Sequence, residues 1–124
     1  MITASCHCGA VRLEIDGPAP ETVLDCGCSI CRRKGGLWTY YEPRQVKIIP
    51  ESGATFIYLW GDKMLEHHTC RTCGCTTHWS PVDKAHDRMG VNVRMMPREL
   101  LTDLRIQRFD GADTWKVVGE RRGI

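Results

Sequence analysis

No apolar run in this sequence approaches the ~20 residues of a membrane-spanning helix, so no such span is expected. Charge of one sign is equally scarce. Seventeen Lys and Arg face 15 Asp and Glu, leaving a formal charge of only +2. A nucleic-acid or membrane-surface protein would carry a marked basic excess, so neither partner is expected. The first residues, Met1-Ile2-Thr3-Ala4-Ser5, lack the basic and apolar regions of a secretory signal, which points to a cytoplasmic location and a reducing environment. The 12 Gly and 6 Pro follow no triplet period, which excludes a collagen-like chain. Repeats and low-complexity stretches are missing, and helical periodicity is thin.

What is present in excess is cysteine, with eight in 124 residues. A chain of this length is expected to form a single domain, residues 1–124 with a core over roughly residues 3–117, that buries about two-thirds of its unfolded surface. Val11-Arg12-Leu13-Glu14-Ile15-Asp16 alternates apolar and charged residues, the pattern of a half-buried strand, and Gly17-Pro18-Ala19-Pro20 ends it. Further strands are predicted over Leu37 to Tyr41, Val46 to Ile49, Thr55 to Trp60, Met64 to Thr69, Thr76 to Trp79 and Gly90 to Arg94, with a hairpin turn at Gly61-Asp62. Ser29 to Gly35 reads as a capped single helical turn, and Pro97 to Leu101 as one or two turns with Pro97 at the first helical position. The tail Gly119 to Ile124 is basic and is expected to fray. The fold class is therefore mainly β, built of small antiparallel sheets.

The cysteines form three knots: Cys6-His7-Cys8, Cys26-Gly27-Cys28-Ser29-Ile30-Cys31 and Cys70-Arg71-Thr72-Cys73-Gly74-Cys75. Closely spaced thiolates suit zinc, which they bind at about 2.3 Å in a tetrahedron. Cys70-x-x-Cys73-Gly74 is half of such a site, and the isolated pair Cys6 and Cys8 is the natural complement. Cys26, Cys28 and Cys31 then remain as a trio. Four thiolates close a structural site, whereas three leave a position open for substrate. The alternatives are disulfide pairing throughout, or closure of the trio by Cys75 or a histidine. With both sites metallated the formal charge falls to about −1.

Arg32, Arg33 and Lys34 follow the trio directly. They are candidates to receive the carboxylates of an anionic thiol, against a reading as a solvated basic turn. Arg94 is a further candidate anion contact or a strand-end charge, and Asn92 either orients ligand or holds a turn. Trp38, Tyr40 and Tyr41 wall a pocket or pack in the core. His7 is expected to point away from the metal, His86 to lie at the surface, His78 in the core, and one of His67 and His68 near the four-cysteine site. Cys75 reads as a small buried hydrophobe.

Cys6-His7-Cys8-Gly9-Ala10-Val11, Cys26-x-Cys28-Ser29-x-Cys31-Arg32-Arg33-Lys34-Gly35, Cys70-x-x-Cys73-Gly74, Val91-Asn92-Val93-Arg94 and Phe109-Asp110-Gly111 with Trp115 together resemble the glutathione-dependent formaldehyde-activating enzyme family, which includes centromere protein V. That resemblance implies a β-tent of packed antiparallel sheets. It also implies a structural zinc on Cys6, Cys8, Cys70 and Cys73 and a catalytic zinc on Cys26, Cys28 and Cys31. The implied activity joins formaldehyde to glutathione as S-hydroxymethylglutathione, a carbon–sulfur lyase reaction run in the bonding direction. A non-catalytic zinc-stabilised binding module and a zinc-ribbon nucleic-acid binder are the rival readings.

Overall fold

A computed structural model describes residues 1–124. Its eleven strands make two sheets. The smaller joins β1 (Ile2–Ser5), β2 (Arg12–Ile15) and β5 (Val46–Ile49) in the order β1-β2-β5. The larger runs β11-β10-β3-β4-β9-β8-β7-β6. It comprises β3 (Thr22–Cys26), β4 (Trp38–Tyr41), β6 (Thr55–Leu59), β7 (Leu65–Cys70), β8 (Thr76–Pro81), β9 (Met89–Asn92), β10 (Arg105–Phe109) and β11 (Val117–Arg122).

The alternation read at Val11–Asp16 has the predicted consequence. Leu13 and Ile15 are fully buried while Arg12 is exposed, and antiparallel pairing with β1 and β5 sets Leu13 opposite Ala4 and Ile48. Both faces of β9 are covered, and all four of its residues are buried. The core between the sheets holds Ala4, Val11, Leu13 and Ile15 from the small sheet side, and Val23, Val91, Val93, Leu104 and Ile106 from the large. Cys6 and Cys70 belong to the same cluster.

Four features depart from the sequence reading. The tail does not fray: Val117–Arg122 pairs antiparallel with β10, and Arg105 meets Glu120 at 3.0 Å across that pair. One neighbour pair, β3 with β10, is parallel, with Cys26 opposite Phe109. The stretch beyond Asn92 leaves its strand for a 3-10 turn over Val93–Met95. Near the C-terminus, Pro97 precedes a short 3-10 turn over Arg98–Leu100 as its cap rather than opening a helix.

The one α-helix, α1 (Ser29–Lys34), forms where Ser29–Gly35 predicted a capped turn. Cys28 caps it, its sulfur accepting from the Cys31 amide at 3.4 Å, and Gly35 closes it in the left-handed region at φ 68°. Arg32, Arg33 and Lys34 fall in its last turn, where positive charge suits the helix dipole. No helix is long and apolar enough to cross a membrane.

Candidate metal centres

Cys6 and Cys8 lie in the turn that leaves β1, whereas Cys70 ends β7 and Cys73 lies in the β7–β8 turn. Folding thus brings together cysteines from the small and the large sheet. Their four sulfurs lie within 4.8 Å of one another. Cys8 Sγ is 3.7 Å from both Cys6 Sγ and Cys70 Sγ. A disulfide needs about 2.05 Å. A tetrahedron with 2.3 Å metal–sulfur bonds has edges of about 3.75 Å, so the spacing fits a zinc ion and not a bridge. Amides already point at these sulfurs: Val11 N–H donates to Cys6 Sγ at 3.3 Å and Thr72 N–H to Cys70 Sγ at 3.4 Å. Amides of Cys8 and Cys75 hold the Cys73 thiol down at about 5, well within thiolate range at neutral pH. All eight cysteines are free, and Cys75, half-buried, packs against the core beside this cluster without joining its ligand set.

The trio is a separate group. Cys26 ends β3, Cys28 caps α1 and Cys31 lies one turn into it, so a strand end and a helix start place three sulfurs within 4.8 Å of one another. No histidine, carboxylate or fourth cysteine joins that group. The Cys31 thiol, with the amides of Cys28 and Gly111, holds Cys26 down at about 6, and the same contact with burial pushes Cys31 up. One thiol of the three is thus poised to ionise first, with its neighbours as donors. Soft thiolate donors at this spacing fit zinc here as well.

The trio opens on a cleft of about 370 Å³ lined by Asp25, Cys26, Cys31, Arg32, Arg108 and Phe109, among others. The loop Phe109-Asp110-Gly111 lies against Cys26, with Phe109 and Asp110 lining the cleft. Gly27 N–H donates to Phe109 O at 2.8 Å, and a Cβ on Gly111 would stand 2.5 Å from Cys26 Sγ. Only glycine lets the backbone come this close to the sulfur. Asp110 fixes the loop by accepting from the amides of Asp113 and Thr114 and from the Thr114 hydroxyl. Trp115, 71 % exposed and left-handed at φ 58°, stacks edge-on against Phe109 at 6.0 Å.

The structure distributes the candidate substrate residues unevenly. Arg32 shares the cleft with Cys26 and Cys31. Arg33 and Lys34 do not; they line a second depression of about 350 Å³ with Ser29, Ile30, Tyr58 and Trp60. Arg33 Nη1 donates to Ser29 O at 2.9 Å, and Lys34 Nζ donates to Thr69 Oγ1 at 3.2 Å. Asn92 is 3 % exposed and its side chain is occupied by backbone. Its Oδ1 accepts from Leu37 N–H and Arg94 N–H, each at 3.2 Å, and its Nδ2 donates to Thr76 O at 2.8 Å. Of the two roles read for Asn92, the geometry is that of the turn-holder. Arg94 is exposed and lines neither depression.

Trp38 and Tyr41 are core residues, whereas Tyr40 is half-buried under Arg88 at 3.8 Å. His67 and His78 are buried, and burial presses them down to about 4 and about 3, so both are neutral. His68, on the face of the sheet opposite His67, stacks on His78 at 4.1 Å and bonds Thr55 and Ser80. Arg108 is the site residue that sequence reading missed. It reaches the cleft through the parallel β3–β10 pair, which sets it opposite Asp25; nothing local in the sequence signals that pairing.

Comparison with known proteins agrees with this geometry. A crystal structure of a Rhodobacter sphaeroides protein superposes with a TM-score of 0.66 at 30% identity, covering 79% of this chain and 94% of that one. A Halomonas elongata protein named "Putative glutathione-dependent formaldehyde-activating enzyme" is 47% identical over 36 residues, which are 29% of this chain and 23% of that protein. The matched segment therefore spans less than a quarter of that relative. Residues 1–107 match the model of the family described as "Glutathione-dependent formaldehyde-activating enzyme". With most of its length covered by that match, the chain belongs to the glutathione-dependent formaldehyde-activating enzyme family.

Proposed function

We propose that this protein is a carbon–sulfur lyase that joins a small aldehyde, formaldehyde or one like it, to a low-molecular-weight thiol such as glutathione. Cys6, Cys8, Cys70 and Cys73 would hold a structural zinc, and Cys26, Cys28 and Cys31 a second zinc at the reaction site. The observation that carries this reading is the trio itself: three sulfurs with no fourth protein ligand, of which Cys26 and Cys31 line a cleft that also holds two arginines. A zinc ion bound there would supply positive charge that lowers the pKa of an incoming thiol.

The chain's own residues do the rest. Arg32 and Arg108 stand where the carboxylates of an anionic thiol can pair with guanidinium groups, fixing its sulfur toward the trio. Gly111 lets the backbone pack against Cys26 without a clash, and Phe109 supplies an apolar wall to the cleft. In the overall reaction the thiol sulfur bonds to the carbonyl carbon, the carbonyl π bond opens, and the thiol proton ends on the oxygen. No oxidant or reductant is needed.

The test is adduct formation from glutathione and formaldehyde, followed by exchange-rate NMR on zinc-replete protein. Wild type is expected to accelerate the reaction. Cys28→Ser is expected to abolish the acceleration while keeping a folded spectrum, and Arg108→Ala to raise the thiol KM about tenfold, the loss of about 1.4 kcal/mol of binding. Full acceleration by Cys28→Ser, or none by wild type with both sites loaded, overturns the reading.

A further inference from the structure

The eight-stranded sheet ends in two unlike edges. At one end β11 carries Glu120, Arg121 and Arg122, with a glycine among them. These are the means by which natural edges discourage pairing. At the other end β6 pairs only with β7, so one row of its backbone donors and acceptors faces outward. From Thr55 to Trp60 it has no charge, no proline and no glycine. Phe56, Ile57, Tyr58, Leu59 and Trp60 are 55, 55, 50, 42 and 52 % exposed.

The exposure is on both faces. Tyr58 and Trp60 look toward α1, where they line a depression with Ile30 and Lys34, whereas Ile57 lines the opposite side with Ile48 and His68. A helix or loop laid on one face would leave the other wet and the outward backbone groups unpaired. Only another strand, added in plane, serves all three.

We propose that this edge is the seam of a homodimer, in which two copies pair their β6 strands antiparallel about Ile57 and continue one sheet through both. The strand is suited to its own copy. Antiparallel pairing about Ile57 sets Phe56 beside Tyr58 of the partner subunit and Leu59 beside Thr55 of the partner subunit, aromatic and aliphatic pairs that stabilise sheets. The strand itself carries no charge, Arg71 and Lys34 lie over the faces of Phe56 and Tyr58 at 4.5 and 5.7 Å rather than in the plane of the sheet, and a two-fold axis closes the contact without leaving a new edge.

The area is of the right order. Half-exposed aromatics of this size offer about 75–125 Å² each. Phe56, Tyr58 and Trp60 thus offer about 225–375 Å², and with Ile57, Leu59 and the 55 % exposed Met64 the patch bounds the contact from above near the ~600 Å² a side of the smaller specific interfaces. Because Tyr58 and Trp60 also border α1, pairing would wall the Arg33–Lys34 depression from its open side.

Sedimentation velocity on the full zinc-replete chain, from micromolar concentration upward, tests this. Wild type is expected to sediment as a dimer. Ile57→Lys, which sets a charge at the seam, is expected to be a monomer with unchanged circular dichroism and zinc content, and Val117→Lys on the opposite edge to remain a dimer. Hydrogen exchange on wild type adds a reading that needs no variant: β6 amides should exchange faster on dilution while β8 amides do not. A wild-type monomer at all concentrations overturns the proposal. So does a dimer that survives both Ile57→Lys and Tyr58→Lys, or a β6 whose exchange ignores dilution.

Discussion

The two cysteine clusters differ in what they connect. The four-cysteine cluster bridges residues as far apart as Cys6 and Cys73, ties the small sheet to the large, and has two members in the core. The trio spans only Cys26 to Cys31, connects a strand end to the helix that follows, and opens on a cleft. A long-range tie restrains the whole chain, and its loss frees two sheets. A local tie restrains one turn, so its fourth position can be left for chemistry with little risk to the fold. On the proposed reading, the same metal–thiolate bonding would serve architecture in one place and reactivity in the other.

The largest expected effect follows from removing one ligand from each cluster. Apparent zinc affinities in structural sites, ~10–16 kcal/mol, equal or exceed the ~5–15 kcal/mol margin of a small protein. Cys70→Ser is therefore expected to abolish the cooperative thermal transition seen by circular dichroism. Cys28→Ser is expected to shift the midpoint by no more than roughly 5 °C, about 1 kcal/mol. Equal damage from the two would break the distinction.

A smaller effect is expected at Asn92, which supports the fold beside the site. Asn92→Ala strands the Leu37 amide and the Thr76 carbonyl in a buried place, at a cost of about 2–4 kcal/mol. Chemical denaturation should show that loss, while the thiol KM of the protein that remains folded stays unchanged. A raised KM with normal stability would move Asn92 from the architectural to the reactive side.

The smallest concerns Gly111. A methyl group there meets Cys26 Sγ, so Gly111→Ala is expected to weaken zinc at the trio about tenfold, the usual scale for a supporting position, with the thermal midpoint held. Competition with a chromophoric chelator reads the affinity directly.

Much of this was legible in the sequence because the signals are local. Cysteine spacing marked both clusters, the alternation at Val11–Asp16 marked β2, and Cys28 with Gly35 bounded α1. What escaped depends on distant partners. The chain at Ile2–Ser5, Thr22–Cys26, Arg105–Phe109 and Val117–Arg122 pairs as strands although no clear alternation announces it. β3 and β10 stabilise each other in parallel across about eighty residues, and β11 owes its order to β10, although its basic composition suggests fraying. Arg108 was hidden for the same reason. The run Arg32-Arg33-Lys34 shows the converse limit: adjacent on a helix, they point around it, and only Arg32 turns to the trio's cleft.

The two clusters are expected to differ in coordination, one closed by four sulfurs and the other open with three. X-ray absorption at the zinc edge, on protein loaded with about two zinc ions per chain, measures it through the mean sulfur number at ~2.3 Å. About 3.5 sulfurs per zinc are expected, rising toward 4 when glutathione is added. A value of 4 before the thiol is present, unmoved by its addition, would contradict it.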